Sequence, residues 1–198
     1  PETLRPAPAW LAGPLGGTGL SLSNTALILT LVASFACYVV ATVKAGRLSP
    51  RLVVMTILAV HVLVLLAPPL FSTDMFSYQI YSRMGALHGV NPYLAGPHAV
   101  SYDPLYRYVG YKWTGTPTVY GPLFTVLSYA MASLSIAASV WAYKAIAAAA
   151  SLLVLALVWK IARLRGVDPL RSVTLVGLNP LLVLYGVGGG HNDLLMLV

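Results

Sequence analysis

The feature that most constrains this chain is a set of apolar runs long enough to cross a membrane as helices. Residues 22–43 and 52–70 each contain close to the roughly 20 residues that a bilayer-spanning helix needs. Only 9% of the chain is charged, whereas a soluble domain usually has about 25% charged residues. We therefore predict an all-α fold, a polytopic transmembrane helical bundle. Because the chain begins at Pro1 without a methionine and stops at Val198 inside an apolar run, we expect residues 1–198 to be one fragment, the N-terminal part of a larger membrane domain.

Further apolar segments follow the first two, with loops between them. Residues 1–21, rich in proline and glycine, are typical of a loop. The later segments lie at 120–140, expected to be only partial, at 141–162, at 172–187 and from 192 onward. Most basic residues lie in short loops between these runs, where they set the topology. The net charge of +7 therefore does not indicate nucleic-acid binding, and the expected surroundings are a lipid bilayer.

The distribution of charge orients the chain across the membrane. Lys44, Arg47 and Arg51 follow the first run, and the positive-inside rule assigns their loop to the cytoplasm. Residues 71–119, which follow the second run, then form a large extracytoplasmic loop.

The apolar stretch 120–162 is too long for one span and allows two topologies. If it crosses twice, the basic loop 163–171 faces outside, against the positive-inside rule. If 120–138 only dips in and turns at the serines, that basic loop is cytoplasmic, and Asp193 lies on the same side as Asp74. We favour the second version because it obeys the charge rule.

The start of the large loop carries Asp74, one of five acidic residues in the chain. Ser72 and Thr73 can cap a helix, and an acid in a first turn suits the positive end of the helix dipole. Gly89 and Pro92 supply a stop. Between them, apolar residues and polar residues recur on separate stripes, the polar one consisting of Asp74, Ser77, Tyr78, Tyr81, Gly85 and His88. The pattern predicts an amphipathic helix where a span meets water, and Asp74 is either a functional carboxylate or only a capping acid.

Tyrosine is dense in the loop 71–119, which also contains Arg83, Arg107 and Lys112. Aromatic density fits a belt at the membrane interface. It equally fits a sugar-binding cleft, where rings stack on the apolar faces of pyranoses. The sequence leaves both interpretations open.

Two isolated residues have simpler interpretations. Cys37 is the single cysteine, so the chain offers neither an internal disulfide nor zinc-type spacing, and packing is its expected role. His61 lies in the middle of a span, where an ionisable residue is a functional candidate, but we interpret it as a neutral, hydrogen-bonded packing residue.

Three glycines, Gly188 to Gly190, precede His191, Asn192 and Asp193 at a membrane boundary. Glycine allows another group to approach the backbone closely, and polar side chains beside a span are usually functional. The alternative is a polar cap for the last helix. We favour a functional motif, and Asn179-Pro180, about one helix length upstream, supports this interpretation.

Five motifs in order carry a family resemblance. The chain resembles the actinobacterial polyprenol-phosphate-mannose-dependent α-1,6-mannosyltransferases, members of the GT-C class of membrane glycosyltransferases. The resemblance runs from about Phe71 to Val198, and Asp74 lacks the acidic neighbour that many GT-C enzymes have. The motifs are Asp74 with Phe76-Ser77-Tyr78, then Gly89-Val90-Asn91-Pro92-Tyr93, Tyr120-Gly121-Pro122-Leu123, Asn179-Pro180 and Gly190-His191-Asn192-Asp193.

The resemblance implies transfer of a sugar, with mannose expected, from a polyprenyl phosphate to a glycan or glycolipid acceptor of the cell envelope, such as lipomannan, with inversion. The active site would lie on the extracytoplasmic side of the bacterial plasma membrane. The attacking hydroxyl needs a general base, for which Asp74 is the candidate. The departing phosphate needs positive charge, for which the candidates are, in order, Arg83, Arg107 and Lys112. The residues expected to bind sugar or acceptor, or to orient the base, are Tyr78, Tyr81, His88, Tyr120, His191, Asn192 and Asp193. No cofactor or metal ligand is assigned, and dependence on a divalent cation is left open.

Two other functional classes are compatible with an apolar polytopic chain. A transporter or flippase for a lipid-linked or small polar substrate also builds sites from glycine-broken spans, but the acids here lie at span ends or in loops, and no repeat is evident. A structural subunit without a site of its own is disfavoured by a polar loop of nearly fifty residues, since loops of that length are usually functional or disordered.

Overall fold

Helices form all the regular structure in the described part of the chain, which is Leu11 and residues 23–198 of a computed structural model. No strand occurs there, so the predicted all-α fold is confirmed. The loop predicted over 1–21 lies outside the described residues apart from Leu11. The elements are α1 (Asn24–Lys44), α2 (Pro50–Leu66), α3 (Asp74–Ala86), α4 (Pro122–Ser128), α5 (Ile136–Leu164), α6 (Pro169–Gly177), a π-helix (Leu181–Val187) and α7 (Asp193–Met196). Short 3₁₀ helices lie between them at Ala45–Arg47, Pro97–Val100, Tyr106–Tyr108, Tyr111–Trp113 and Tyr129–Met131.

Two of the described helices are long and apolar enough to cross a membrane by themselves. They are Asn24–Arg47, which includes the 3₁₀ turn after α1, and Ile136–Leu164. Helix α2 is apolar but has 17 residues, fewer than the run predicted at 52–70. It ends early because Pro68 and Pro69 have no backbone N–H to continue the helical hydrogen bonds.

Helix α2 packs against α5, α6 and the π-helix through one buried stripe, formed by Val53, Ile57, His61 and Val64. The His61 ring donates from Nδ1 to the carbonyl of Ile57 at 2.8 Å, and its Nε2 lies 2.9 Å from the hydroxyl of Ser151 on α5. With Nδ1 as the donor, Nε2 accepts the Ser151 hydroxyl proton. Both ring nitrogens are therefore satisfied, and the interpretation of His61 as a packing residue is confirmed.

The stretch 120–162 contains one short and one long helix. Helix α4 has seven residues and runs into a 3₁₀ turn at Tyr129–Met131. Helix α5 then starts five residues before the predicted span at 141–162, because the Ser135 hydroxyl caps it by accepting the N–H of Ala138 at 3.2 Å. Helix α4 is too short to cross a membrane, and the topology of this stretch stays a prediction.

The apolar segment predicted at 172–187 is broken in two. Helix α6 and the π-helix meet at an angle of 51°. Pro180 cannot donate a backbone hydrogen bond, and the side-chain oxygen of Asn179 instead accepts the N–H of Leu181 at 2.9 Å. π-turns are rare and concentrate at functional sites. This one leads directly to the glycines that precede His191.

The two basic loops lie at one end of the bundle. Helices α1 and α6 pack against each other, and the Tyr38 hydroxyl donates to the carbonyl of Leu175 at 2.8 Å. Beyond the end of α1, a Cβ on Gly46 would lie 3.7 Å from a carboxylate oxygen of Asp168, the residue before α6, so the two helices run antiparallel. The loops 44–51 and 163–171 therefore lie together. The exposed cations of this end are Lys44, Arg47, Arg51, Lys160, Arg163, Arg165 and Arg171.

Helix α3 is enclosed on nearly all sides. Nine of its thirteen residues are buried, including Ser77, Tyr78 and Tyr81 from the stripe that the sequence predicts to be polar. The middle of that stripe does not face water, because α4, α5 and the loop 87–121 pack around the helix. The ring of Tyr78, for example, contacts the ring of Tyr143 on α5 with centroids 5.4 Å apart. Helix α3 is thus the core of the part formed by residues 74–143.

The loop that covers α3 is closed by a contact between two glycines. The N–H of His98 donates to the carbonyl of Thr114 at 2.8 Å and draws the two halves of the loop together. A Cβ placed on Gly96 would lie only 2.4 Å from the carbonyl carbon of Gly115. The contact is therefore between backbones, and it needs the absence of a side chain at position 96.

We predict that Gly96→Ala lowers the free energy of unfolding by about 1–3 kcal/mol, because a backbone cannot turn aside as a flexible side chain can. Gly115→Ala is the matched control, since a Cβ there has no neighbour within 4 Å. Its effect should stay below about 0.5 kcal/mol. Thermal unfolding of the purified full-length protein in detergent measures both, and equal melting temperatures for the two variants would contradict the prediction.

Candidate active site

The first turn of α3 meets the segment that follows the π-helix. His191 Nδ1 lies 3.4 Å from a carboxylate oxygen of Asp74 and 3.7 Å from one of Asp193. The His191 side chain is 6% exposed, that of Asp74 is 31% exposed and that of Asp193 is 77% exposed. A buried imidazole thus stands between two carboxylates that reach solvent. The two acids that the favoured topology places on one side are neighbours here.

The glycine run allows this close approach. The carbonyl of Gly188 accepts the N–H of Leu70, four residues before Asp74, at 3.0 Å. Gly190 has a φ of +63°, and a Cβ there would lie 2.5 Å from the sulfur of Met75. Only glycine combines that backbone conformation with that proximity. The group expected to approach the glycine backbone is therefore the start of α3 itself.

The ring of His191 has one nitrogen free for a ligand. Its face stacks on Tyr185, with centroids 4.1 Å apart. Its Nε2 is buried and has no hydrogen-bond partner among the described residues. Buried polar atoms in folded proteins are almost always paired, so an orphan beside two carboxylates is a strong indication of a binding site.

A second contact joins α3 to the same segment. The Tyr78 hydroxyl donates to the side-chain oxygen of Asn192 and accepts the backbone N–H of Asn192, both at 3.2 Å. Burial raises the pKa of the Tyr78 phenol well above its ordinary value, and burial followed by the charge of Asp74 does the same for the pKa of Tyr120. Burial also raises the pKa of Tyr81 to about 12. All three phenols therefore keep their protons at neutral pH and can donate hydrogen bonds.

The tyrosines form an aromatic wall next to this contact. Tyr78 meets Tyr120 edge to face, with centroids 4.7 Å apart, and Tyr120 lies 6.1 Å from Tyr81. The Tyr81 hydroxyl donates to the carbonyl of Thr116 at 2.8 Å, which ties the covering loop to α3. Of the predicted sugar-binding residues, Tyr78, Tyr120 and the residues His191 to Asp193 thus cluster around the start of α3.

Two other predicted site residues lie at the far end of α3. Arg83 Nε donates to Asp103 at 2.8 Å, and His88 Nε2 lies 2.7 Å from the same oxygen, Oδ2. Arg83 is nine residues beyond Asp74, about 14 Å along the helix axis. The Asp103 side chain is 1% exposed. Arg83 and His88 therefore belong to an ion cluster that fastens the covering loop, and the structure does not bring them to Asp74.

The surroundings of Asp103 in that cluster lower the pKa of its carboxyl group. Burial alone would raise it, but hydrogen bonds from His88, from the N–H of Leu105 and from Arg83, together with the charge of Arg83, outweigh burial and hold the pKa below its ordinary value. The carboxylate is therefore stabilised in its charged form.

The remaining basic candidates are Arg107, which lies near the start of α3, and Lys112. Tyr108 stacks on Phe76 with centroids 5.3 Å apart, and Arg107 donates to the Tyr108 hydroxyl at 3.0 Å. Both Arg107 and Lys112 are exposed, and neither forms an ion pair with a carboxylate among the described residues. The charges of these two residues are free for an anion, whereas the charge of Arg83 is not.

An apolar groove adjoins the site. It has a volume of about 320 Å³ and lies between α1 and the π-helix. Its lining includes Tyr185, which stacks on His191, and Phe71, three residues before Asp74. Its lining residues are Leu31, Phe35, Phe71, Pro180, Leu181, Leu184 and Tyr185.

Metal binding finds little support in these side chains. In the part of the chain that the structure describes, no group of three or more His, Cys, Asp or Glu residues is arranged to hold an ion.

Comparison with protein families gives the chain its class. A family model described as "Alpha-(1->6)-mannopyranosyltransferase, N-terminal domain" matches residues 5–198. The chain belongs to this family. The resemblance to actinobacterial mannosyltransferases predicted from the five motifs is confirmed.

Curated relatives of this chain within the mannopyranosyltransferase family come from mycobacteria and corynebacteria. An alpha-(1->6)-mannopyranosyltransferase of Mycobacterium tuberculosis is 32% identical over 143 residues, which cover 67% of this chain and 23% of the relative. Alpha-(1->6)-mannopyranosyltransferase A of Corynebacterium glutamicum is 31% identical over 152 residues, covering 73% of this chain and 30% of the relative. The chain thus spans about a quarter of the length of these relatives. No solved structure matches it.

Sequence analysis does not identify every residue of this candidate site. Tyr185 stacks on His191, but in the sequence it is one tyrosine in an apolar segment, and only its spacing of six residues before His191 hints at a role. Asp103 binds Arg83 and His88 across 20 and 15 residues, a pairing that no local pattern encodes. A lone acid in a loop that contains several cations is the signal that could have suggested it.

We predict that Asp103→Asn lowers the melting temperature near pH 7 and that the difference from wild type shrinks in acid. Since the folded-state pKa lies below the ordinary value, the stabilisation is fully present above about pH 4 and disappears as pH falls through the folded-state pKa. Melting temperatures of both proteins from about pH 7 to about pH 3 measure this. A difference that stays constant over this range would show that the charge of Asp103 does not stabilise the loop.

Proposed function

We propose that the full-length protein is a GT-C glycosyltransferase that transfers mannose from a polyprenyl-phosphate donor to a hydroxyl of a growing cell-envelope glycan, with inversion. The active site would lie on the extracytoplasmic side of the plasma membrane, at the end opposite the basic loops. The observation that carries the proposal is the partly exposed Asp74 carboxylate beside a buried His191 with a free ring nitrogen. The mannose assignment is supported by the names of the relatives in two genera.

Asp74 is the proposed general base. The acceptor O–H would give its proton to the Asp74 carboxylate as the acceptor oxygen bonds to the anomeric carbon, and the bond from that carbon to the phosphate oxygen breaks. Attack from the face opposite the phosphate inverts the anomeric centre. The 31% exposure of Asp74 leaves room for an acceptor on its open side.

His191 is the proposed partner of this base. A proton on Nδ1 would point at Asp74, which holds the carboxylate in place and leaves Nε2 as a hydrogen-bond acceptor for a sugar hydroxyl. The 3.4 Å separation is long for a hydrogen bond, as is common before substrate closes a catalytic site. Asn192 and Tyr78 fix the backbone that follows His191 and so maintain its position.

Arg107 and Lys112 are the proposed phosphate-binding residues. Negative charge grows on the departing phosphate, and cations stabilise it best when they carry no competing partner. Both residues are exposed and free of carboxylates among the described residues, whereas Arg83 is held by Asp103. This reverses the order suggested by sequence, in which Arg83 came first.

The apolar groove beside Tyr185 supports a lipid-linked donor. Its lining is entirely apolar in character and reaches Phe71, which directly precedes the segment carrying Asp74. A prenyl chain lying there would place its phosphate near the start of α3, at the membrane boundary.

A transporter or flippase is the second candidate, and one observation favours it. The segment 169–187 is a broken, bent helix pair with a π-turn, and transporters build substrate sites from such interrupted helices. Uptake of a lipid-linked or small polar substrate into proteoliposomes, in the absence of sugar transfer, would make this the better assignment.

We predict that Asp74→Asn abolishes transfer by the full-length protein, with a loss of about 10²–10⁴-fold, because the amide cannot take the acceptor proton. Membranes supplied with radiolabelled polyprenyl-phosphate mannose and a short α-mannoside acceptor provide the assay. Asp168→Asn is the control acid, since Asp168 only caps α6 at the basic end. Retained transfer in Asp74→Asn would exclude Asp74 as the base. Absence of transfer by wild type would instead reject mannose, and polyprenyl-phosphate arabinose or glucose would be tried next.

We further predict that replacing Arg107 impairs donor use, whereas replacing Arg83 impairs stability. Arg107→Gln should reduce kcat/KM for the donor by roughly 10- to 100-fold, the effect of one lost hydrogen bond to a charged group, with an unchanged melting temperature. Arg83→Gln should lower the melting temperature, because it removes a partner from the buried Asp103. Initial rates at varied donor concentration and thermal unfolding of both variants test this. If Arg83→Gln alone impaired donor use in a stable protein, the sequence-based order would be right.

A further inference from the structure

One buried charge has no part in the proposed chemistry. Lys144 lies on α5, a helix apolar enough to cross a membrane, and it is 0% exposed. Lysine is almost never fully buried unless its ammonium is paired. No carboxylate pairs with it among the described residues. Something else must compensate its charge.

The compensation comes from backbone carbonyls at the end of α2. The Lys144 ammonium donates to the carbonyl of Ala67 and, at 3.4 Å, to that of Pro68. It also lies 5.2 Å from the centre of the Trp141 ring, one turn earlier on α5. Carbonyl oxygens accept hydrogen bonds from an ammonium, and an aromatic face attracts a cation. Lys144 therefore binds the first two carbonyls beyond the end of α2.

The residues it holds are the start of the linker that leads to Asp74. This linker, residues 67–73, has little freedom, because Pro68 and Pro69 fix their own φ angles. Its middle is tied by the Leu70 N–H to the glycine turn. Phe71 then adopts a φ of +60°, which a bulky residue keeps only where its surroundings enforce it.

The two anchors of the linker connect the two halves of the site. Gly188, which accepts the Leu70 N–H, lies three residues before His191. The other anchor is Lys144, and the adjacent Tyr143 packs against Tyr78 of α3. Helix α5 thus holds both the linker and α3, so its contacts set where the first turn of α3 lies relative to His191.

We propose that Lys144 is a positioning residue, whose ammonium holds the carbonyls of Ala67 and Pro68 and thereby places Asp74 against His191. The inference rests on the proposed function, in which Asp74 is the base. It concerns the alignment of the base and assigns Lys144 no contact with substrate. Loss of the ammonium would free the linker at its start and weaken the action of His191 on Asp74.

The test is a double-mutant cycle in the full-length protein, with Lys144→Met and His191→Gln, assayed for mannosyl transfer. We expect Lys144→Met to lower kcat at least tenfold with KM changed less than threefold. We expect His191→Gln, which lowers kcat in the wild-type background, to have a several-fold smaller effect once Lys144 is replaced. Additive effects of the two substitutions, or full kcat in Lys144→Met, would overturn the proposal.

Ser151→Ala is the matched control for general destabilisation. It removes another buried hydrogen bond between α5 and α2, to His61, without touching the linker. We expect its kcat to stay within twofold of wild type even if its melting temperature falls. A loss of kcat equal to that of Lys144→Met would show that any weakening of the α2–α5 packing has this effect, and would reject positioning by Lys144.

Two further variants keep the outcome decisive. Lys144→Arg retains charge and donors and should recover most of the kcat lost in Lys144→Met. If Lys144→Met does not reach the membrane in folded form, Lys144→Gln takes its place in the cycle, and the same non-additivity with His191→Gln is required. Failure of the Lys144 proposal can be distinguished from failure of the proposed function. Transfer by Asp74→Asn rejects the base, whereas an inactive Asp74→Asn together with an additive cycle rejects only the role of Lys144.

Discussion

The close approach of two backbones, the linker before α3 and the glycine turn after the π-helix, is the constraint on which the rest of this structure depends. The hydrogen bond from Leu70 to Gly188 and the contact of Gly190 with Met75 leave no room for side chains. With Cβ atoms at these positions, the carboxylate of Asp74 would be displaced from His191. The break and π-turn upstream serve the same end, because a straight helix would carry the glycines past α3 instead of turning them beneath its first residues.

The charged residues around that contact differ in exposure and pairing. Acids near the glycine turn reach solvent, whereas Asp103, the acid of the covering loop, is buried and paired. The exposed charges of the loop are consequently cationic, at Arg107 and Lys112. A loop with this pattern attracts anions to the membrane surface, while the neutral phenols behind it offer hydrogen bonds without adding charge. Such a division suits a ligand with a phosphate at one end and hydroxyl groups at the other.

Sequence reasoning succeeded where the signal was local. The start of α3 at an acid and the glycines before His191 are short patterns whose physics is complete within a few residues, and they identified two segments that prove to be neighbours. Sequence reasoning failed where a residue's partner lies far away along the chain. In sequence, Arg83 is the first candidate for binding phosphate, but in the fold its guanidinium binds Asp103, which is 20 residues away along the chain. Hydropathy likewise could not divide 172–187, since a π-turn is as apolar as the helix that it interrupts.

The buried polar residues of the two central helices show how position decides role. His61 and Lys144 both lie inside apolar helices, although sequence analysis considers a function only for His61. His61 satisfies both nitrogens on a backbone carbonyl and Ser151, within the packing of α2 against α5, and so does no more than join two helices. Lys144 instead reaches past α2 to the backbone that leads to Asp74. The two buried residues therefore differ in role. The contacts of His61 stay within the helix packing, whereas those of Lys144 reach the linker that positions the Asp74 carboxylate.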